Sequence, residues 1–271
     1  MTDGAAAPTS AYALALSEAE LQRYRAMADA ARASEADLWG LAGIGAGARV
    51  ADVGCGPGAM LPALAEAVGD DGSVVAVDGD PGAVAAATAL VEAAGLRNVS
   101  VRTGRAEATG LDPNSLDVVM MRHVLAHNGG HEQAIVDHLA GLLRPGGCVF
   151  LVDVDGPATR IRPADPDLED MTEKYWRFQA ARGNDILVGL RLAQLVTAAG
   201  LEVLEYRGRY TIMSPPPGLR PPAWAARDAM VGAGIATPDD VARWDAALDR
   251  TAAVHPTIFV PMFTAVGRRA G

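Results

Sequence analysis

Val50-Ala51-Asp52-Val53-Gly54-Cys55-Gly56-Pro57-Gly58 sets an apolar run, broken by one aspartate, against a window that holds three glycines. RVADV (49–53) has the density of apolar residues that a strand buried on both faces requires. A glycine-rich turn straight after such a strand lets backbone approach a ligand closely. Dinucleotide-binding loops look similar, so the details matter. Asp52 lies two residues before the first glycine, inside the strand end, and the spacing is a compact GxGxG. The dinucleotide fingerprint, GxGxxG, wants a third glycine where this chain has Ala59.

Outward from the loop, strand and helix patterns alternate. The spacing predicts a helix over Met60–Val68, a strand at SVVAVD (73–78), a helix over Pro81–Ala94 with proline at its start, and a strand at VSVRT (99–103). LDVVMM (116–121) reads as a fourth strand. His131–Leu143 reads as a helix ending at Pro145-Gly146-Gly147, and CVFLVDV (148–154) as a fifth strand. Apolar strands separated by helices imply a parallel sheet covered on both sides. After residue 155 the rhythm breaks. MTEKYWRFQAA and LVGLRLAQLVTAAG (187–200) read as helices, LEVLEYRGRYTI (201–212) as a strand, and SPPPGLRPP (214–222) as a proline-rich turn. A helical region over about 223–254 precedes a last strand at TIFVPMFTAVGRR (257–269). At the other end, residues 1–16 read as loosely ordered. Ser17-Glu18-Ala19-Glu20 forms a capping-box pattern opening a helix over 18–39.

Composition narrows the function. The 271 residues are 50% hydrophobic and carry 33 acidic against 23 basic side chains, for a net charge of -10. Lys174 is the one lysine and the arginines are scattered, which disfavours a nucleic-acid substrate. Cys55 and Cys148 lie far apart with neither a CxxC spacing nor a disulfide framework, as in a reducing cytoplasm. No apolar run reaches membrane-spanning length and the N-terminus lacks a signal-peptide pattern, so a cytoplasmic protein without a membrane partner is expected.

The loop VADVGCGPG resembles the first motif of the class I S-adenosylmethionine (SAM)-dependent methyltransferases. VVAVDGD (74–80) resembles their second, LDVVMMRHVLAHN (116–128) their fourth-strand segment, and LLRPGGCVFLVD (142–153) their Pro-Gly-Gly turn into strand five. The motifs run in family order over about 44–155. The resemblance implies an α/β fold, a Rossmann-like doubly wound, seven-stranded, mostly parallel sheet with helical lid insertions. It divides the chain into an N-terminal helical lid (1–43), a SAM-binding core (44–155), and the remainder of the core with acceptor-pocket insertions at 156–187 and 213–255. SAM is the cofactor it implies.

The same resemblance assigns roles. Gly54, Cys55 and Gly56 form the loop, whose backbone amides suit the carboxylate of SAM. Asp52 would orient the loop and face the ammonium. Asp78 would accept hydrogen bonds from both ribose hydroxyls. Gly79 and Asp80 would shape the wall beside adenine, with the segment Gly104-Arg105-Ala106-Glu107 facing the ring. Arg105 stands where the family often has an aspartate, leaving the Ala106 amide to reach a ring nitrogen. Arg122 and His123 would border the cofactor at the end of strand four. Tyr24, with Arg23 and Met27, would either close over it or belong to an amphipathic helix that packs on the sheet.

On the acceptor side, His123 is the candidate base, at the carboxyl end of strand four where open α/β sheets present groups to ligands. A hydrogen-bonded structural histidine is the alternative. His123, His127 and His131 share a spacing of four, but Asn128-Gly129-Gly130 interrupts a helix between them, and no metal is expected. His255 is placed facing the pocket. Asp153 and Asp155 either orient the acceptor or build a turn. Tyr175, Trp176, Phe178, Trp224 and Trp244 either line an acceptor pocket or pack a small helical lid. The function expected is methyl transfer to oxygen or nitrogen of a small-molecule acceptor in secondary metabolism, with a homodimer left open. The alternatives are carbon methylation of a quinone-like or sterol-like acceptor, and a SAM-fold protein without methyl transfer that acts as a cyclase or binding protein.

Overall fold

A computed structural model describes residues 18–215 and 220–271, with backbone only for 18–27 and Ala30. The first sixteen residues, Ser17 of the capping box, the side chains of Arg23, Tyr24 and Met27, and the centre of the proline-rich turn lie outside the described residues.

The expected alternation forms. Helix α1 (Glu18–Ala42) leads into β1 (Arg49–Val53), α2 (Leu61–Val68), β2 (Ser73–Asp78), α3 (Pro81–Ala93), β3 (Val99–Thr103), β4 (Leu116–Arg122), α4 (Glu132–Leu142) and β5 (Leu143–Val154). Beyond these come β6 (Arg160–Arg162), α5 (Pro166–Ala181), α6 (Leu192–Ala198), β7 (Glu202–Met213), α7 (Pro222–Ala225), α8 (Arg227–Gly232), α9 (Pro238–Ala252) and β8 (Thr257–Arg268).

The strands join one eight-stranded sheet in the order β3-β2-β1-β4-β5-β8-β6, with β7 on the outer side of β8. Strands β1 to β5 pair in parallel, and β8 is antiparallel to β5, β6 and β7. The eighth strand is the short β6, which follows β5 and takes up β8 at Thr257–Phe259, beyond the end of the β5 pairing at Met262. The Pro-Gly-Gly turn corrects the predicted boundary. Strand five already begins at Leu143, and Arg144–Gly147 bulges out of it as the partner register jumps from Leu116 to Val118. Gly147 fits there because a Cβ would stand 2.9 Å from the Asp117 carbonyl oxygen.

The strand alternation sorts side chains onto two cores. Val50, Val118, Met120 and Phe150 face α1, α2 and α3, while Ala51, Val119, Met121 and Leu151 face α4 and α6. Asp52 therefore projects from the face that α1 covers, and that placement governs its chemistry. A third core belongs to the late helices, where Leu168, Met171, Tyr175 and Phe178 of α5 pack on Met230, Trp244, Ala247 and Leu248. Among the described residues no helix is long and apolar enough to cross a membrane.

Candidate active site

The parallel strands β1 to β5 all end on one rim, and the strand order reverses between β1 and β4. That switch point is where open α/β sheets form a ligand crevice. The glycine loop at this point is held by β2. Gly54 and Cys55 both donate to the Val77 carbonyl, at 2.7 and 3.2 Å. Gly56 N–H donates to Asp78 Oδ2 at 2.8 Å, and Asp80 N–H to Asp78 Oδ1 at 2.9 Å. Each Asp78 oxygen keeps acceptor capacity beyond its one amide. Asp80 caps α3 through the Ala83 amide at 2.9 Å.

Val124 presses on the loop from the other side of the crevice. A Cβ on Gly54 would stand 2.2 Å from Val124 Cγ2, and Gly54 has φ +77°. Gly56 also has a positive φ, +55°, but a Cβ there would meet nothing within 4 Å. His123, just before Val124, holds a positive φ of +57°, and its N–H donates to the Val152 carbonyl at 2.8 Å. This left-handed residue ends β4 and turns the chain onto the loop. Buried Asp153 fixes the short turn beyond Val124, accepting from the amides of Ala126 at 3.1 Å and Val154 at 3.0 Å. Its burial pushes the carboxyl up to about 7. Asp155 caps the turn that leaves β5 through the Ala158 amide at 3.2 Å. Both aspartates are thus turn builders.

Asp52 is buried, and no described residue donates a hydrogen bond to its carboxyl group. Burial pushes it up to about 7, against the pull of the Arg122 guanidinium and with a further push from Asp78. Cys55, buried beside the same two acids, has its thiol pushed up mainly by burial and stays protonated.

Arg122 has a partner that sequence reasoning missed. Its guanidinium grips Glu35 of α1 at 2.5 and 3.2 Å, and Arg209 of β7 reaches the same carboxylate at 2.6 Å. Glu35 is fully buried. It falls on the apolar stripe Ala28-Ala31-Glu35-Leu38-Ala42, and a lone acid on such a stripe was the available signal.

Among the other candidates, Gly79 is exposed and Ala106 and Glu107 half-buried. Arg105 projects into solvent and pairs with Glu107. The segment is anchored at both ends. Gly104 N–H donates to the Asp78 carbonyl at 3.0 Å, and Thr109 N–H to His138 Nε2 of α4 at 3.2 Å. His127 and His131 fall in the turn before α4, and His255 is exposed. Among the described residues no group of three His, Cys, Asp or Glu side chains is placed to hold a metal ion.

The aromatic residues divide. Trp244 is fully buried and donates Nε1–H to Asp170 at 2.9 Å, which makes it core rather than pocket lining. Tyr175 and Phe178 are likewise buried in the late-helix core. Trp224 is half-buried between the guanidinium groups of Arg220 and Arg227, 5.2 and 4.7 Å from its ring centre. Trp176 lies against the turn that leaves β5, its ring 3.0 Å from where a Cβ on Gly156 would be.

A family model described as a methyltransferase domain matches residues 50–147, the segment that contains the glycine loop, Asp78 and the Val124 contact. The chain contains a class I SAM-dependent methyltransferase domain. Aklanonic acid methyltransferase DauC of Streptomyces sp. (strain C5) is 43% identical over 74 residues, 27% of this chain and 34% of that protein. The demethylmenaquinone methyltransferase of Shouchella clausii is 32% identical over 112 residues, 41% of this chain and 47% of that protein. The chain spans between a third and a half of the length of the curated relatives it matches. A crystal structure from Bacillus halodurans C-125 superposes with a TM-score of 0.59 at 17% identity, covering 88% of this chain and all of that one, which shows the methyltransferase fold.

SAM is the methyl donor that this domain family implies. The rim fits it. A cosubstrate with an ammonium and a sulfonium suits a crevice bordered by the carboxyl groups of Asp52 and Asp78.

Proposed function

We propose that this protein transfers the methyl group of SAM to an oxygen or nitrogen of a small-molecule acceptor. The observation that carries the proposal is the paired placement of Asp52 and Asp78 around a glycine loop clamped between Asp78 and Val124. Asp78 has acceptor capacity left for the two ribose hydroxyls, and Asp52 is the counter-charge for the ammonium. The amides of Gly54, Cys55 and Gly56 are engaged by Val77 and Asp78, and they hold the loop in the shape that borders the cofactor. The residues Gly79, Asp80 and Gly104–Glu107 border the adenine. When bound, SAM supplies an electrophilic methyl carbon on a sulfonium.

The rest of the work falls to the chain. His123 stands where β4 meets the crevice and takes the proton of an acceptor hydroxyl or amine. The late helices α5 and α7–α9, with Trp176 and Trp224, shape the acceptor side and exclude water as a lid together with α1. The names of the two relatives, an aklanonic acid and a demethylmenaquinone methyltransferase, support a small-molecule acceptor. Carbon methylation is the second reading, favoured by likeness to a demethylmenaquinone methyltransferase.

The test is incubation with SAM and a panel of polyketide acids, phenols, amines and demethylated quinones. Product mass reports transfer and product NMR gives the atom. A methylated phenol, acid or amine supports the proposal. A methylated ring carbon supports the second reading, and no methylation by folded, SAM-binding protein contradicts both.

A further inference from the structure

Arg122 stands between two carboxylates that serve different ends. On one side is Glu35 of α1, which takes two of its nitrogens at 2.5 and 3.2 Å. On the other is Asp52 at the end of β1. The register of β1 and β4 sets Asp52 beside Met120, so Arg122 lies one alternation further along the same face. Diagonal neighbours on adjacent strands are within reach of a long side chain. Both hydrogen bonds that Arg122 donates go to Glu35, which fixes the direction of its guanidinium, and none goes to Asp52.

Arg209 completes the arrangement. It donates to Glu35 at 2.6 Å and to the Ser34 carbonyl at 2.9 Å, from the neighbouring face of β7. The Arg122 side chain is 10% exposed and that of Glu35 0%, so the charges meet largely out of water. Two guanidinium groups share one carboxylate, leaving a net positive charge beside Asp52. Asp52 already feels the charge of Arg122, and a carboxylate paired with arginine is a poor partner for an ammonium ion.

We infer that Glu35 is a positioning residue for the cofactor: it holds Arg122 off Asp52 and so keeps that carboxylate open for the ammonium of SAM. The inference rests on the proposed function, in which Asp52 faces that ammonium. Glu35 touches no cofactor. It acts through Arg122, and through it the packing of α1 is coupled to cofactor affinity. Arg122 then belongs beside the cofactor site and not among its contacts.

The test measures dissociation constants for SAM and S-adenosylhomocysteine by calorimetry on the full chain, which needs no acceptor. Glu35→Gln frees Arg122 to pair with Asp52, and affinity should fall about tenfold or more, the scale of one charge-assisted hydrogen bond. The double variant Glu35→Met with Arg122→Met removes the competing cation together with its restraint, and affinity should return to within about threefold of wild type. A double variant as weak as Glu35→Gln overturns the inference, because Glu35 would then act only by seating α1.

Removing one member of a buried ion group can prevent folding, so Arg122→Met serves as a second arm, with Glu35 still paired to Arg209. Affinity at or above that of wild type supports the inference, and a loss of about tenfold overturns it. Folded wild-type protein that binds neither compound overturns the functional proposal itself, a result distinct from any pattern among the variants.

Discussion

Val124 Cγ2 occupies the space in which a side chain on Gly54 would begin, 2.2 Å from the position of its Cβ. The two residues belong to the loops after β1 and β4, so the crevice at the sheet's switch point is closed at its base by a contact that only glycine permits.

Gly54→Ala should therefore cost about 2–4 kcal/mol of stability, combining the left-handed backbone with a clash in a packed contact. Gly56→Ala should cost only about 1–2 kcal/mol, since its Cβ would enter open space. Urea titration of both variants checks the difference. If Gly56→Ala folds and has lost SAM binding, the open space beside Gly56 belongs to the ligand. Equal costs at the two positions would contradict the contact.

Asp52 should trade stability for affinity. Its carboxyl lies near 7 in the folded chain, well above its ordinary value of 3.8. The folded state thus holds a proton that the unfolded state releases. The stability this contributes is full below the unfolded value and is lost as pH rises through about 7. At about pH 8 Asp52→Asn should be more stable than wild type by on the order of 2–4 kcal/mol, and the advantage should shrink toward about pH 4. The same variant should bind SAM more weakly. Melting curves across this range check the sign, and a variant less stable than wild type at high pH contradicts it.

His123→Asn separates backbone from chemistry. Asparagine tolerates the φ of +57° at this position, so the fold and SAM affinity should persist. Turnover should drop by ~10²-fold or more if His123 takes the acceptor's proton. Unchanged kcat would make His123 a structural turn residue, with catalysis resting on proximity and orientation.

The His138 imidazole accepts from the Thr109 amide, and burial holds it below its ordinary 6.5 despite the opposing pull of Glu107. A protonated ring cannot accept that bond. Here the unfolded state takes up the proton first, so the contribution is present above about 6.5 and lost as pH falls. Hydrogen exchange of residues 104–110 should accelerate between about pH 7.5 and 5.5 in wild type relative to His138→Gln, after correction for intrinsic rates. Identical pH dependence in both proteins would contradict the tether.

The legible part of the fold lay in the periodicities of the sequence. RVADV and SVVAVD are apolar on both faces, so strand, sheet type and loop position were legible from residue types alone. Asp78 was legible for the same reason, because it ends a strand of that kind. The bulge at Arg144–Gly147 was not, since a Pro-Gly-Gly turn and a Pro-Gly-Gly bulge use the same residues and differ only in the register of β4. The Glu35–Arg209 pair spans 174 residues without a local motif. Trp244 and Trp176 are alike in sequence, but the first has Asp170 as a partner across two helices and the second lies on the turn after β5. Only tertiary packing tells them apart.

The central claim is that Asp78 and the glycine loop hold SAM, and calorimetry tests it most directly. Wild-type protein should bind SAM and S-adenosylhomocysteine with dissociation constants on the order of micromolar and should not bind NAD. Asp78→Ala should weaken both by about 1.5–3 kcal/mol, the scale of lost charge-assisted hydrogen bonds. Equal binding by wild type and a folded Asp78→Ala variant would contradict the claim.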